Sequence, residues 1–169
     1  FDRYTAQRLF APVRMNDTFY TVPPEKLARL TASYARTETG LVPADPPASD
    51  YFSRKIVTPT GGGGLVSSAS DYARFMGMLL HEGELDGVRV MKTQTAKLMM
   101  SNLMEPGIVA NTSYGASGYG AGGRSTIVNM PGGEGRGTYG WTGASNTQAW
   151  VDRANGAYIV LMTQVRQWY

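Results

Sequence analysis

The 169-residue chain contains no cysteine and a single histidine, His81. The lack of cysteine excludes disulfides and thiolate metal sites, and one imidazole among dispersed carboxylates offers no ligand spacing for a metal. No apolar run approaches the ~20 residues that a membrane-spanning helix requires. The run from Ala157 to Met162 is typical of the longest. Charge is also sparse: 17% of residues are charged, and 16 lysines and arginines against 13 acidic residues leave a net charge of +3. Those cations never gather into a run, so nucleic acid is not an expected partner. Two further signatures are missing. Gly-x-Ser-x-Gly does not occur, Gly115-Ala-Ser-Gly-Tyr119 being a near miss, and the tetraglycine Gly61–Gly64 is followed by Leu65-Val66 where a phosphate-binding loop needs Gly-Lys-Ser/Thr. No cofactor is expected.

What is present suffices for one domain with a sizeable core, at 42% hydrophobic residues. Residues 1 to 11 carry Phe1, Tyr4, Arg8 and Leu9/Phe10 at helical spacing, and Pro12 ends that helix. From Thr21 to Pro59 the chain is rich in proline, including Pro23-Pro24 and Pro46-Pro47, and reads as irregular apart from an extended piece at Leu30 to Arg36. Gly61–Gly64 reads as a segment that approaches another backbone closely. Ser68-Ala-Ser-Asp71 then has the form of a capping box, with Ser68 bonding the N3 amide and Asp71 reaching back. The helix it opens has Tyr72, Phe75, Met76, Leu79 and Leu80 on one stripe and Gly83 as its stop. His81 falls in its last turn, where the helix dipole favours a cation.

A second, shorter helix is expected within Met91 to Leu103, capped by Thr93 or Thr95 and stopped by Pro106-Gly107. Beyond it, Tyr119 to Met130, Thr138 to Val151 and Ala157 to Gln164 read as three strands. A glycine-rich loop, Pro131 to Gly137, joins the first two, and the turn Asp152-Arg-Ala-Asn-Gly156 joins the last two. Ala157 to Thr163 has the apolar, partly β-branched pattern of a buried strand. The expected class is α+β, an antiparallel sheet of three strands or more packed against helices.

Trp141-Thr142-Gly143-Ala144 resembles the Lys/His/Trp–Thr/Gly–Gly box on an active-site edge strand of the penicillin-recognising serine hydrolases, namely class C β-lactamases, DD-peptidases and family VIII esterases. Two upstream segments support the resemblance. Phe10-Ala-Pro-Val-Arg-Met-Asn-Asp-Thr18 is similar to their Phe-x-Pro-Leu-Gly-Met-x-Asp-Thr turn. Gly62-Gly-Gly-Leu-Val-Ser-Ser-Ala-Ser-Asp-Tyr-Ala-Arg-Phe75 is similar to their Gly-Gly-Gly-Leu-x-Ser-Thr-x-x-Asp-x-x-Arg-Phe segment.

The resemblance implies the C-terminal part of a β-lactamase/penicillin-binding-protein-like fold over residues 1 to 169. It also implies acyl-enzyme chemistry on a small-molecule ester, β-lactam or amide. In that family a serine is activated by a lysine one helical turn later, assisted by a tyrosine. Neither Ser-x-x-Lys nor Tyr-x-Asn occurs in this chain, and both lie upstream of the matching segments in the family. The missing N-terminal part of the same fold is therefore the expected partner. The start at Phe1-Asp-Arg-Tyr, in mid-helix pattern without a signal sequence, agrees with this. The family suggests a periplasmic or secreted location. Lys92-Thr93-Gln94 lacks the glycine of such a box.

By position, Ala144 supplies an oxyanion-hole N–H, Gly143 keeps substrate approach open, and Thr142 offers a hydroxyl. Trp141 stands where lysine is typical of class C enzymes; an indole offers surface and one donor without charge, which tilts the expectation toward esters. Spacing alone equally accommodates Gly143 as a bulge, Thr142 as a β-former and Trp141 as a core aromatic. A catalytically silent ligand-binding protein of the same fold, or an unrelated β-rich binding module, are the alternative functions.

Overall fold

The computed structural model describes residues 1–45, 58–105, 108, 117–129 and 131–166. The expected Pro46-Pro47 segment, the Pro106-Gly107 helix stop and the terminal residues 167–169 lie outside them. The architecture is α+β. A four-residue helix α1 (Asp2–Thr5) continues through a π-turn (Ala6–Phe10), and a 3₁₀ segment (Pro24–Arg29) leads to the hairpin β1 (Ser33–Thr37) and β2 (Gly40–Asp45). Helix α2 (Ala69–Leu80), the small hairpin β3 (Glu84–Leu85) and β4 (Val88–Arg89), and α3 (Thr93–Met99) follow. Strands β5 (Ser117–Tyr119), β6 (Arg124–Thr126), β7 (Tyr139–Thr142), β8 (Gln148–Asp152) and β9 (Ala157–Leu161) then form an antiparallel sheet in chain order. The final strand, β10 (Val165–Arg166), pairs in parallel with β1.

Helix α2 starts where expected: the Ser68 hydroxyl accepts the Asp71 N–H at 3.2 Å. Asp71 does not reach back, however. Its carboxylate is buried and accepts the Asp17 N–H at 2.6 Å and the Thr18 hydroxyl at 2.9 Å. Thr18 in turn lies 2.9 Å from the Ser67 hydroxyl. A buried charge needs such donors, and meeting that need ties the Asn16–Thr18 turn to the start of α2. Asp17 itself is held well below the usual carboxylate range by Arg29 at 2.8 Å and Lys26 at 2.6 Å. The helix stops before the expected Gly83: His81 is its C-cap, Glu82 takes the left-handed position at φ +55° and donates to Leu79 O at 3.0 Å, and Gly83 closes the turn by donating to Met78 O at 2.8 Å. Helix α3 begins at Thr93 without a side-chain cap, so neither Thr93 nor Thr95 caps it.

The core combines Phe10, Val13 and Met15 with Met76, Met78 and Leu79 of α2, Ala96 and Met100 from α3, and Tyr139, Ala149 and Val151 of the sheet. Helix α2 packs on β8 and β9. Two expected strands are each interrupted by a turn. Tyr119–Met130 contains the end of β5, a bend at Ala121–Gly123 and β6; Thr138–Val151 contains β7, a turn and β8. Strand β9, the outer strand of its sheet, is not buried as expected: Tyr158, Ile159 and Leu161 are exposed even though α2 packs on it. The backbone pairing of the tetraglycine among the described residues is local, a bridge from Gly63 back to Thr60. A Cβ at Gly62, Gly63 or Gly64 would meet nothing within 4 Å.

Close approach belongs to other glycines. A Cβ at Gly140 would stand 2.1 Å from the Ala149 carbonyl oxygen and 2.6 Å from the Trp150 ring. Gly140→Ala is therefore expected to lower stability by about 1–3 kcal/mol or more, the usual cost of overpacking. Gly62→Ala should stay within about 0.5 kcal/mol of the parent, as at an unconstrained surface site. Urea midpoints of the two variants check the contrast; equal midpoints would show that β7 and β8 can separate freely at Gly140.

Candidate active site

The box residues sit at the end of β7 and in the turn that follows. Strand β7 is third of five and therefore central, not an edge strand. Its pairing is one-sided at this end. On the β6 side the register stops at Arg124↔Gly140, while on the β8 side Trp141↔Ala149 and Thr142↔Gln148 continue. Trp141 and Thr142 are thus exposed beyond the end of β6, and Gly143 and Ala144 are exposed in the turn.

The turn is a three-residue hairpin loop. Asn146 N–H donates to Gly143 O at 3.0 Å and Gly143 N–H to Thr147 O at 2.8 Å, with Asn146 at φ +60°. Asparagine tolerates this left-handed backbone better than most residues, which makes it a suitable last loop position. Gly143 is crowded: a Cβ there would lie 2.3 Å from Thr147 Oγ1, which would have to rotate away. The chain beyond β9 braces the loop from outside. Thr163 Oγ1 donates to Ser145 O at 2.6 Å, Val165 N–H to the same oxygen at 3.3 Å, and Asn146 Nδ2 to Val165 O at 2.7 Å. Among the described residues no backbone or side-chain acceptor engages the Ala144 N–H.

Two residues outside the box complete its surroundings. Tyr139, one turn of the strand earlier, is buried and its hydroxyl donates to Ala121 O at 2.6 Å. Burial pushes its phenol up to about 12, so it stays protonated and is a structural donor. Tyr119 at the end of β5 meets Trp141 edge to face, ring centroids 5.2 Å apart. Its backbone is fixed on both sides, N–H to Asn102 Oδ1 at 3.1 Å and carbonyl to Leu103 N–H at 2.9 Å. No charged side chain occurs in residues 141–147. His81 stands elsewhere, its Nδ1 2.8 Å from the Gly77 carbonyl oxygen. The depression beside it, lined by Glu82, Glu84 and Arg89, holds no box residue, and Arg89–Glu84 and Lys97–Glu82 pair its charges.

Tyr119 and Asn146 were not singled out from sequence. Asn146 had a readable signal, since Gly-x-x-Asn is turn chemistry; Tyr119 had none, because its neighbour Trp141 lies 22 positions away.

The β-lactamase family model matches residues 1–168. The chain belongs to the β-lactamase family. It is 31% identical over 170 residues to Protein Rv1367c of Mycobacterium tuberculosis, covering 92% of this chain and 41% of that protein. The chain thus spans about two-fifths of this relative's length. Among solved structures it is similar to a simvastatin synthase (LovD) mutant from Aspergillus terreus, at TM-score 0.85 and 22% identity over 99% of this chain and 45% of that one. It is similar to EstCE1, a hydrolase with promiscuous acyltransferase activity, at TM-score 0.79 and 17% identity over 98% and 46% of the two chains. A penicillin-binding protein homologue from Pyrococcus abyssi follows at TM-score 0.68 and 19% identity, over 96% and 33%. These structures share the fold of this chain.

Asn146→Ala removes the bond to Val165 and places a Cβ-bearing residue without a local polar partner at φ +60°. It should cost about 1–3 kcal/mol, combining left-handed strain and a lost hydrogen bond. Asn146→Gly, which loses only the bond, should cost less. Denaturation midpoints in the order parent, glycine, alanine are expected; alanine at or above glycine would mean that the backbone geometry at 146 carries no strain.

Proposed function

We propose that residues 1–169 form the C-terminal part of a serine hydrolase domain acting by acyl-enzyme chemistry on esters, β-lactams or amides. In this reading the chain contributes the third active-site box, with the Ala144 N–H as an oxyanion donor. The observation that carries the proposal is the braced Gly143–Asn146 turn, with its exposed Ala144 amide free of an acceptor among the described residues, directly after an exposed Trp-Thr-Gly. A serine upstream of Phe1 would attack the substrate carbonyl after losing its proton to a lysine. The carbonyl oxygen would gain negative charge against the Ala144 N–H, and collapse would expel the alcohol, reprotonated by the base, leaving an acyl-serine that water then hydrolyses. Trp141, Thr142 and Gly143 line the substrate's path.

The partner is the rest of the same fold. Support comes from the share of the relatives' length that the chain spans and from β9, whose outer edge carries exposed Ile159 and Leu161.

A fluorophosphonate probe tests the proposal. The full-length protein should be labelled stoichiometrically on a serine outside residues 1–169, and the 169-residue chain alone should not be labelled. Labelling of a serine within these residues would overturn the assignment of the nucleophile. An unlabelled full-length protein would favour a catalytically silent ligand-binding protein.

Substrate class follows from Trp141. Trp141→Lys adds a cation where a substrate carboxylate would lie, and should shift turnover toward carboxylated β-lactams relative to short p-nitrophenyl esters by about 1–3 kcal/mol, the worth of a charge-assisted bond. An unchanged ratio of kcat/KM values would remove Trp141 from the substrate site.

A further inference from the structure

The box carries no charge, and its Trp141 is paired with an aromatic residue outside the box, Tyr119, to which the proposed reaction gives no role. Tyr119 and Trp141 come from different strands, β5 and β7, and meet edge to face at 5.2 Å with their planes 82° apart. Both remain exposed, Tyr119 at 38% and Trp141 at 43%. The backbone on both sides of this corner is held in place. Tyr119 is bonded through both backbone groups to the Asn102–Leu103 segment, and that segment seats against Gly118, where a Cβ would come 2.1 Å from Asn102 Oδ1. Strand β7 is fixed next to Trp141 by the close contact of Gly140 with Ala149 and Trp150. Two aromatic faces held at right angles and left open to solvent form a preorganised apolar surface, which gains binding free energy without the cost of ordering flexible side chains. Trp141 precedes Ala144 by three residues, about 10 Å of extended chain at most. A substrate whose carbonyl oxygen met the Ala144 amide would reach the corner with a group several bonds away.

We propose that Tyr119 is a specificity residue: with Trp141 it forms an aromatic corner that selects substrates bearing an uncharged aromatic group within reach of the reacting carbonyl. This rests on the hydrolase reading of the box, and the group it selects can lie on the acyl or the alcohol side of the ester.

The test uses the full-length protein with two substrate pairs. The acyl arm compares ethyl phenylacetate with ethyl acetate; the alcohol arm compares benzyl acetate with ethyl acetate. Tyr119→Ala should raise KM about tenfold for the aryl-bearing member of one arm, the scale of one lost aromatic contact. It should leave kcat and the aliphatic member within about twofold, as expected of lost ground-state binding. Tyr119→Phe keeps the ring and should behave as the parent. A second measurement, calorimetric binding of phenylacetamide to the parent, Tyr119→Ala and Trp141→Phe, separates the two readings. Turnover with no aryl preference, or Tyr119→Ala lowering every substrate equally, overturns the corner while the hydrolase reading stands. An inert protein that binds phenylacetamide, weakened at least fivefold by Tyr119→Ala, overturns the hydrolase reading and keeps the corner. No turnover and no such binding overturns both.

Discussion

The carbonyl of Ser145 accepts two donors, Thr163 Oγ1 and the Val165 amide, and through them the chain after β9 crosses the mouth of the β7–β8 hairpin. This crossing joins the two larger sheets. Gln164, between those donors, accepts the Tyr34 N–H at 2.7 Å, and Val165–Arg166 then pairs with β1. A hairpin loop alone frays easily because few buried contacts hold it. Here the loop is clamped by the segment that also starts the β10-β1-β2 sheet, so the position of Ala144 is tied to Tyr34 as well as to its own strands. Asn146 serves both ends of the clamp: its backbone takes the left-handed turn and its side chain bonds Val165.

A second constraint sets the height of the box along the sheet. The Tyr139 ring fills space that Gly120 and Gly123 leave open. A Cβ at Gly123 would be 2.8 Å from that ring, and one at Gly120 would be 3.2 Å away. With its hydroxyl on Ala121, Tyr139 nails the β5–β6 turn to β7. Two glycines and one phenol therefore decide where β6 begins, at Arg124 opposite Gly140, and that leaves Trp141 and Thr142 unpaired on one side. The cluster is structural, but the opening beside the box is its consequence.

How much of this was legible depended on the range of the interaction concerned. The stop expected at Gly83 falls two residues past the C-cap His81, while the Ser68 cap of α2 and its apolar stripe are local and were read correctly. So was the β8–β9 turn, where Asp152 accepts the Ala154 and Asn155 amides at 3.0 and 3.1 Å. Asp71 was misassigned because its partner, the Asp17–Thr18 turn, lies more than fifty residues away, and a buried carboxylate takes the best donors in space. The strand from Thr138 to Val151 reads as continuous because Tyr, Trp, Thr and Val dominate its β-propensity. Turn chemistry at Gly143 and Asn146 outweighed that propensity. The exposure of β9 was unreadable for a different reason: an apolar run reports that a strand is covered, not which part of the protein covers it. In the site, the identity of the box residues came from a resemblance, and the bracing of the loop and the Tyr119 contact came only from the fold.

The proposed role of Ala144 places a demand on what surrounds it. An amide dipole exposed to water offers an oxyanion little beyond what water offers, since Coulomb energy falls in proportion to the dielectric constant. The large effect of such donors arises in sites that exclude water and hold the dipole in advance. The turn satisfies the second condition through its clamp. The first is not met by residues 141–147, all of which are at least partly exposed. On the proposed reading, water exclusion must come from a surface that closes against Trp141 and Thr142, and an uncharged box suits that arrangement. A lysine at position 141 would have to be desolvated or paired on closure, at a cost of several kcal/mol for an unpaired ion. An indole instead gains by losing water. On the proposed reading, tryptophan in place of a cation both sets which substrates fit and makes closing the site favourable without a carboxylate to neutralise.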